Sequence, residues 1–256
     1  MGKGTGTDGH VGRHDGGERT RDVPAGWDAV GWHAAEENVR RLRQRIFTAS
    51  QAGDLRRVRN LQKLMFRSRS AALVSVRRVT EVNAGRKTAG VDGRIVLAGW
   101  EKAGMAAWLQ RGAAAWRPWP VKRVFIPETG GKRRGLGIAV IVGRALQALA
   151  SNALEPEWEA RFEARSYGFR PGRGCHDAIE AIYQAGKGAS PARRRALDAD
   201  LAAAFDRIGH PFLLSQLGTF PARELAAGWL TAGVAEDGRL TPTGQGTPQD
   251  GVISPC

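Results

Sequence analysis

Two short strand patterns joined by a glycine-rich turn constrain the fold of this chain most strongly. Residues 121–126 alternate basic and apolar side chains, residues 127–131 contain a proline and two glycines, and residues 132–138 run from cations into apolar positions. A strand pattern on each side of such a turn predicts an antiparallel β-hairpin. Because helical patterns precede and follow the hairpin, we expect an α/β (α+β) fold.

Helical periodicity dominates the region before the hairpin. Apolar residues recur at three- and four-residue spacing in three successive runs, and Asp54 stands where the second helix needs an N-cap. A glycine-rich loop at 83–93 marks a boundary. We therefore expect a disordered tail at 1–25, a helical domain at 26–93 and a second domain at 94–256. In that second domain we expect a helix at 141–154 stopped by Pro156, and a buried strand at 196–201.

The charge of the chain indicates a polyanionic partner. Lys and Arg number 39 against 25 Asp and Glu, a formal net charge of +14 with a sequence pI near 11.0. Between Arg40 and Arg78 there are twelve cations and one acid, Asp54. These helices have either ordinary solvated faces or a surface that contacts RNA phosphates, and we favour the second. The cations expected to contact RNA are Arg40, Arg56, Arg57, Arg77 and Arg78.

No membrane or secretory signal is evident in the sequence. The most apolar run, residues 136–142, is far too short to span a bilayer, and the polar, glycine-rich N-terminus has no signal-peptide pattern. Two cysteines, Cys175 and Cys256, form neither a disulfide framework nor a metal motif by spacing. We expect a bacterial cytoplasmic location.

Two aspartates on the predicted strand at 196–201 are the first candidates for chemistry. Asp198 and Asp200 alternate along a strand, so their side chains point to opposite faces and only one can serve a given site. A hard cation such as Mg²⁺ would accept one carboxylate together with water and phosphate oxygens. By itself this pattern is weak, because aspartates at strand ends often cap turns.

Two further segments suit nucleic-acid binding. Ser166–Arg173 combines two aromatic residues, two arginines and two glycines, and such a segment either stacks on bases and pairs with phosphates or forms a turn with buried rings. Thr243–Gln249 is a polar, glycine-rich loop whose amides could approach a nucleotide closely.

The order and spacing of these segments resemble the reverse transcriptases/maturases encoded by bacterial group II introns. The likeness runs from about Trp27 to Cys256, and its most specific motifs are SYGFRPGR at 166–173 and QGTPQDGVISP at 245–255. The resemblance implies a helical N-terminal extension followed by the fingers and partial palm of a right-hand polymerase. It also implies Mg²⁺ as cofactor, and intron RNA, an RNA template with a DNA primer and dNTPs as partners.

Site residues follow from the resemblance position by position. Asp200 matches the first metal-binding aspartate, and the Leu201 carbonyl a further ligand. Phe205 matches the aromatic under the sugar of the incoming nucleotide. The remaining matches are Lys132, Arg134 and Gln249 at the nucleotide, and Arg123, Arg170, Arg173, Ser254 and Pro255 at the template or at the junction of fingers and palm.

Several positions depart from the family pattern. Gly135 and Ala139 replace prolines, Glu128 replaces a basic residue, and Gly143 stands where an Asp is common. Asp250 replaces a glycine beside Gln249, and its carboxylate would repel a triphosphate. We expect weakened nucleotide binding from this substitution.

In the family the Tyr-x-Asp-Asp strand, the thumb and the maturase region all lie downstream of the position of Cys256. We therefore expect the isolated chain to lack polymerase activity, because two metals need more carboxylates than Asp200. Two alternatives stay open: a noncatalytic RNA-binding remnant, and a reverse transcriptase of the retron or defence type.

Overall fold

A computed structural model describes residues 26–112, 116–127, 129–131, 133–187, 195–247 and 251–253. The predicted tail at 1–25 lies outside these residues, as do the predicted site residues Lys132, Gln249, Ser254 and Pro255 and the substitutions Glu128 and Asp250. The described part combines helices with one mixed sheet, so the predicted α/β (α+β) fold is confirmed.

The three predicted N-terminal helices are present. They are α1 (Trp32–Gln51), α2 (Leu55–Arg67) and α3 (Arg69–Arg77). Asp54 caps α2 as predicted, because its carboxylate accepts a hydrogen bond from the Arg57 amide at 2.9 Å. Ser68 caps α3 in the same way through the Ala71 amide. A π-helical turn (Arg78–Val82) and a 3₁₀ turn (Ala84–Lys87) lead out of α3.

Helix α5 (Ile141–Glu159) forms the centre of the molecule. One side packs with α1 and α2 around Ile46, Val58, Met65 and Leu149, and another packs with α3 and α4 (Gly99–Gly112) around Val76, Leu109 and Leu146. Apolar and small residues therefore occur all round α5, as expected of a helix buried on every side.

The predicted end of this helix before Pro156 is wrong. Helix α5 continues through Pro156 to Glu159. A proline inside a helix removes a single backbone hydrogen bond and costs about 3 kcal/mol. Here the last turn is held by tertiary contacts that compensate, since the Glu157 carboxylate is 2% exposed and accepts hydrogen bonds from Arg59, Gln62 and Arg161.

The predicted hairpin is confirmed and extends into a four-stranded sheet. Strands β1 (Val121–Pro127) and β2 (Arg133–Ile138) pair antiparallel, with Val124 opposite Leu136. Strand β3 (Val234–Glu236) pairs parallel to β1, and β4 (Arg239–Thr241) pairs antiparallel to β3. The sheet order is β2-β1-β3-β4, so strands that are far apart in sequence lie side by side.

The predicted buried strand at 196–201 is not formed. Residues 195–200 have no regular secondary structure, and Leu197 and Leu201 are 93% and 80% exposed. A strand needs neighbours for its amide and carbonyl groups, and within the described ranges none of the four strands pairs with this segment.

Among the described residues after α5 there are four further helices. They are α6 (Cys175–Gly186), α7 (Ala204–Arg207), α8 (His210–Leu217) and α9 (Arg223–Thr231). Within the described residues, no helix has the length and apolar character needed to cross a membrane.

Candidate nucleotide and RNA-binding site

Asp200 lies at the surface, just before a tight turn. Its carboxylate accepts a hydrogen bond from the Leu201 amide at 2.9 Å, and the Leu201 carbonyl accepts one from the Ala204 amide at 3.3 Å. Ala203 closes the turn with a φ of 53°, and α7 begins at the next residue. The Asp200 carboxylate is thus exposed and held in place through its own backbone.

Asp200 suits one position in a Mg²⁺ site, but the described residues do not complete that site. Exposed carboxylate and carbonyl oxygens are the ligands that Mg²⁺ prefers, and Asp200 and Leu201 offer one of each. In the described part of the chain, no group of three or more His, Cys, Asp or Glu side chains could enclose a metal ion. Asp200 therefore fits as a single protein carboxylate that needs partners.

Backbone hydrogen bonds hold Phe205 next to the glycine-rich loop at 243–247. The Thr247 amide donates to the Phe205 carbonyl at 2.7 Å, and the Gly246 amide donates to the Ile208 carbonyl at 2.8 Å. A β-carbon at Gly246 would lie 2.6 Å from the Asp206 carbonyl oxygen, so only glycine allows this approach. The loop that leads to Gln249 is thereby attached to the turn that carries Phe205.

His210 strengthens this contact, and the sequence did not single it out as a site residue. The side chain is buried, and its Nε2 lies 2.7 Å from the Gly246 carbonyl oxygen. Since a carbonyl only accepts, Nε2 carries the proton in this hydrogen bond. A lone histidine after an acidic turn has no sequence signal that separates it from a surface residue.

A largely apolar cavity of about 580 Å³ opens beside Phe205. The aromatic residues of its wall are Trp116, Trp119, Trp158, Phe162, Phe205, Phe212 and Trp229. Gly143, which stands where the family that the sequence resembles commonly has an Asp, also lines the wall. A β-carbon at this position would lie 3.2 Å from the Trp116 ring. A side chain at position 143 would therefore require a small shift of the Trp116 ring.

The hairpin carries the predicted fingers cations. Arg134 is exposed on β2 opposite Ile126. Arg123 is half-buried and its side chain packs against Gly135. A β-carbon added to Gly135 would lie only 2.8 Å from the Nη1 atom of Arg123. Arg133, which was not predicted as a site residue, stacks over Phe125. Gly135, which replaces a proline, thus makes room for the Arg123 side chain.

Arg170 and Arg173 hold the Ser166–Arg173 loop together. Arg170 is buried and forms two hydrogen bonds to the Glu159 carboxylate, at 2.5 and 2.7 Å, which raise the pKa of the guanidinium against the opposing effect of burial. Arg173 donates to the carbonyls of Ala164 and Ser166. These contacts hold the loop itself together, and the template and junction roles expected for the two arginines stay predictions.

The predicted RNA-contacting arginines fall into two groups. Arg40 pairs with Glu37, and hydrogen bonds from Arg40 and Arg41 lower the pKa of that carboxyl to about 2. Arg77 pairs with Glu36 and Glu81 and stacks over Trp32. By contrast, no ion pair within the described residues involves Arg56, Arg57 or Arg78, which are exposed.

Arg144 connects the glycine-rich loop at 83–93 to α5. Its guanidinium donates to the carbonyls of Gly85 and Thr88 at 2.8 and 2.7 Å, and burial lowers its pKa despite the nearby Asp92 charge. Gly90 approaches the backbone of Val140 so closely that a β-carbon would lie 2.7 Å away. The loop is therefore fixed against the N-terminal end of α5.

Comparison with known proteins shows the family of this chain. Two family models match the chain: the N-terminal domain of reverse transcriptase over residues 27–109, and reverse transcriptase (RNA-dependent DNA polymerase) over residues 126–256. The second match covers just over half of the chain.

Individual relatives point to the same group. Protein YkfC of Escherichia coli strain K12 is 37% identical over 144 residues, which cover 54% of this chain and 38% of that protein. Group II intron-encoded protein LtrA of Lactococcus lactis subsp. cremoris is 34% identical over 143 residues, 54% of this chain and 23% of LtrA. Maturase-like protein 1 of Euglena gracilis is 27% identical over 187 residues, 73% of this chain and 41% of its own length.

The chain thus spans less than half the length of each of these three relatives. The family resemblance predicted from the motifs is confirmed by both domain matches and by these relatives. This chain belongs to the reverse transcriptase family, in the group that includes group II intron-encoded proteins and maturases.

Proposed function

We propose that this chain forms the RNA-binding extension, the fingers and part of the palm of an RNA-directed DNA polymerase that acts with a group II intron RNA. The observation that carries the proposal is the attachment of the Gly246–Thr247 loop to the turn at Phe205. Two segments matched to the nucleotide site, far apart in sequence, meet there through backbone hydrogen bonds.

In the proposed reaction the primer 3′-hydroxyl attacks the α-phosphorus of a dNTP paired with the RNA template, and pyrophosphate leaves. Bound Mg²⁺ ions would supply charge stabilisation for the attacking and leaving oxygens. Asp200 would hold one ion, Phe205 would lie under the nucleotide sugar, and Arg134 would neutralise charge on the triphosphate. Since Asp200 is a single carboxylate, the site requires further acidic ligands.

The N-terminal helices would bind the structured RNA. Arg56 and Arg57 on α2 and Arg78 after α3 are exposed and have no carboxylate partner among the described residues, so their charge is available to phosphates. Arg40 and Arg77 are weaker candidates, because RNA would have to compete with Glu37, Glu36 and Glu81. We place this activity in the cytoplasm, where intron RNA and dNTPs are available.

Primer extension on an RNA template with Mg²⁺ tests the polymerase assignment. For the chain alone we expect no dNTP incorporation, because the described residues contain no group of three or more acidic or other ligand side chains that could enclose a metal ion. Incorporation that is abolished by Asp200→Asn would contradict this expectation and would support the role of Asp200. Incorporation that persists in Asp200→Asn would contradict the assignment of Asp200 itself.

A second candidate function is noncatalytic RNA binding. It is favoured by one observation, that the described part of the chain contains no group of three or more His, Cys, Asp or Glu side chains that could enclose a metal ion. This function predicts binding of intron RNA without dNTP dependence. An RNA affinity that increases when the dNTP complementary to the template is added would argue for the polymerase instead.

A further inference from the structure

The loop Ser166–Arg173 holds one aromatic ring out in solvent. Phe169 is 81% exposed, and its φ of 56° lies in the left-handed region, which is unfavourable for a bulky residue. A single exposed apolar side chain is ordinary on a protein surface. An exposed apolar side chain on a residue with an unfavourable backbone conformation is unusual, because neither hydration nor the local backbone favours this arrangement.

The rest of the loop prevents this ring from turning inward. Arg170, the next residue, is anchored by Glu159 and by the carbonyls of Glu163 and Ser166, and it stacks on Phe162 at 4.9 Å. To bury Phe169, the backbone would have to rotate and break these contacts. The buried arginine thereby sets the direction of its exposed neighbour.

Phe169 is also the aromatic residue of this loop whose face is open. The Tyr167 ring is covered by the Arg173 guanidinium at 5.8 Å. Among the described residues, no aromatic ring or cation stacks on Phe169. An unpaired base could therefore stack on this ring without displacing a protein group.

The charge around the ring favours a nucleic acid over an apolar protein surface. Within eight residues of Phe169 the chain has four arginines and two acids, Glu163 and Asp177, and Arg165 is exposed without an ion-pair partner in the described part. Aromatic faces next to cations are typical of grooves that bind single-stranded nucleic acid. The net charge of +14 would also attract a polyanion.

We infer that Phe169 is a stacking platform for one unpaired base of the single-stranded RNA template. This inference rests on the proposed function. It adds to RNA binding a contact that depends on stacking, whereas the arginines of α2 contribute to RNA binding through their charge. Arg170 is then a positioning residue, because it acts through the ring that it directs.

Fluorescence titration of a single-stranded RNA of about 12 nucleotides, containing one 2-aminopurine, tests this contact. Phe169→Asn removes the ring, and Asn tolerates the left-handed region, so its thermal unfolding midpoint should not fall. We expect RNA affinity to drop about tenfold, by the same factor at each salt concentration, because no charge is removed. Quenching of the 2-aminopurine should fall with it.

Two matched variants complete the test. Phe169→Trp keeps a stacking surface and should bind RNA like the wild type. Tyr183→Ala removes another exposed aromatic ring, on α6 outside the loop, and should leave RNA affinity unchanged. Affinity of Phe169→Asn equal to that of the wild type would overturn the inference, as would a loss of binding in Phe169→Trp.

The failures of the two proposals are distinguishable. RNA binding by the wild type with an unaffected Phe169→Asn variant removes the platform and leaves the proposed function standing. Absence of RNA binding by the wild type overturns both. A change in sedimentation coefficient on Phe169→Asn without RNA would show that a second copy of the chain covers the ring, which also overturns the inference.

Discussion

At the scale of single residues, buried charges join helices that also pack through apolar side chains. Glu157 is the clearest case, because its carboxylate joins α5 to Arg59 and Gln62 of α2 and to Arg161. The Glu157 side chain is 2% exposed and that of Arg59 is 16% exposed. Breaking such a pair from one side leaves an uncompensated charge in a poorly hydrated place.

We therefore expect Glu157→Gln to destabilise the protein by about 3 kcal/mol, because Arg59 would lose its counter-charge. The free energy of unfolding from urea titration measures the effect. Glu224→Gln is the matched control, since Glu224 pairs with Arg223 at an exposed position and its loss should cost less than about 1 kcal/mol. Equal effects of the two substitutions would contradict the assigned role of Glu157.

At the scale of elements, two glycine-dependent approaches position the candidate site. Gly246 lets the loop reach the turn at Phe205, and Gly90 lets the loop at 83–93 reach Val140 at the start of α5. Both contacts are between backbones, so side-chain repacking cannot relieve a substitution there. The positions of the loops at 243–247 and 83–93 therefore depend on glycine, which has no β-carbon.

Gly246→Ala should destabilise the protein more than Gly53→Ala. Both glycines have positive φ, 76° and 70°, and each substitution carries the cost of about 1 kcal/mol of a left-handed alanine. Only at Gly246 would the new methyl also meet a backbone oxygen, at 2.6 Å, whereas Gly53 has open space around it.

The difference in unfolding free energy between the two variants isolates this backbone contact. Faster hydrogen exchange of the Thr247 amide in Gly246→Ala alone would locate the effect. If both variants lose the same stability and Thr247 exchange is unchanged, the close approach does not hold the loop.

At the scale of the whole molecule, charge is distributed unevenly over a well-packed helical half. The N-terminal helices bury an apolar core against α5 and present cations to solvent. Several of these cations are already neutralised by acids, so the formal charge overstates what RNA can use. Arg56, Arg57 and Arg78, which form no ion pair within the described residues, belong to the part of this surface that we expect to matter.

Salt titration of RNA binding tests this surface. We expect the double variant Arg56→Ala/Arg57→Ala to reduce the slope of log affinity against log salt by about 2, because two phosphate contacts are lost. Arg94→Ala/Arg239→Ala removes two exposed cations outside the N-terminal helices; it serves as the charge-matched comparison and should change the slope less. An unchanged slope in the first variant would exclude Arg56 and Arg57 as phosphate contacts.

Local patterns in the sequence were sufficient for much of the fold. The three N-terminal helices, the Asp54 cap and the β1–β2 hairpin depend on nearby residues, so periodicity and turn chemistry predicted them. Family motifs identified Asp200, Phe205 and Arg134 as site candidates, and their roles stay predictions.

Tertiary contacts decided the remainder. Helix α5 passes Pro156 because Glu157 is held by α2, and β3 lies beside β1 through a parallel pairing across more than a hundred residues. The segment around Asp200 is irregular because, within the described residues, no strand pairs with it. The sequence by itself determined the local elements and the family, whereas partners distant in the chain decided which elements extend, pair and meet, since these depend on long-range hydrogen bonds and burial.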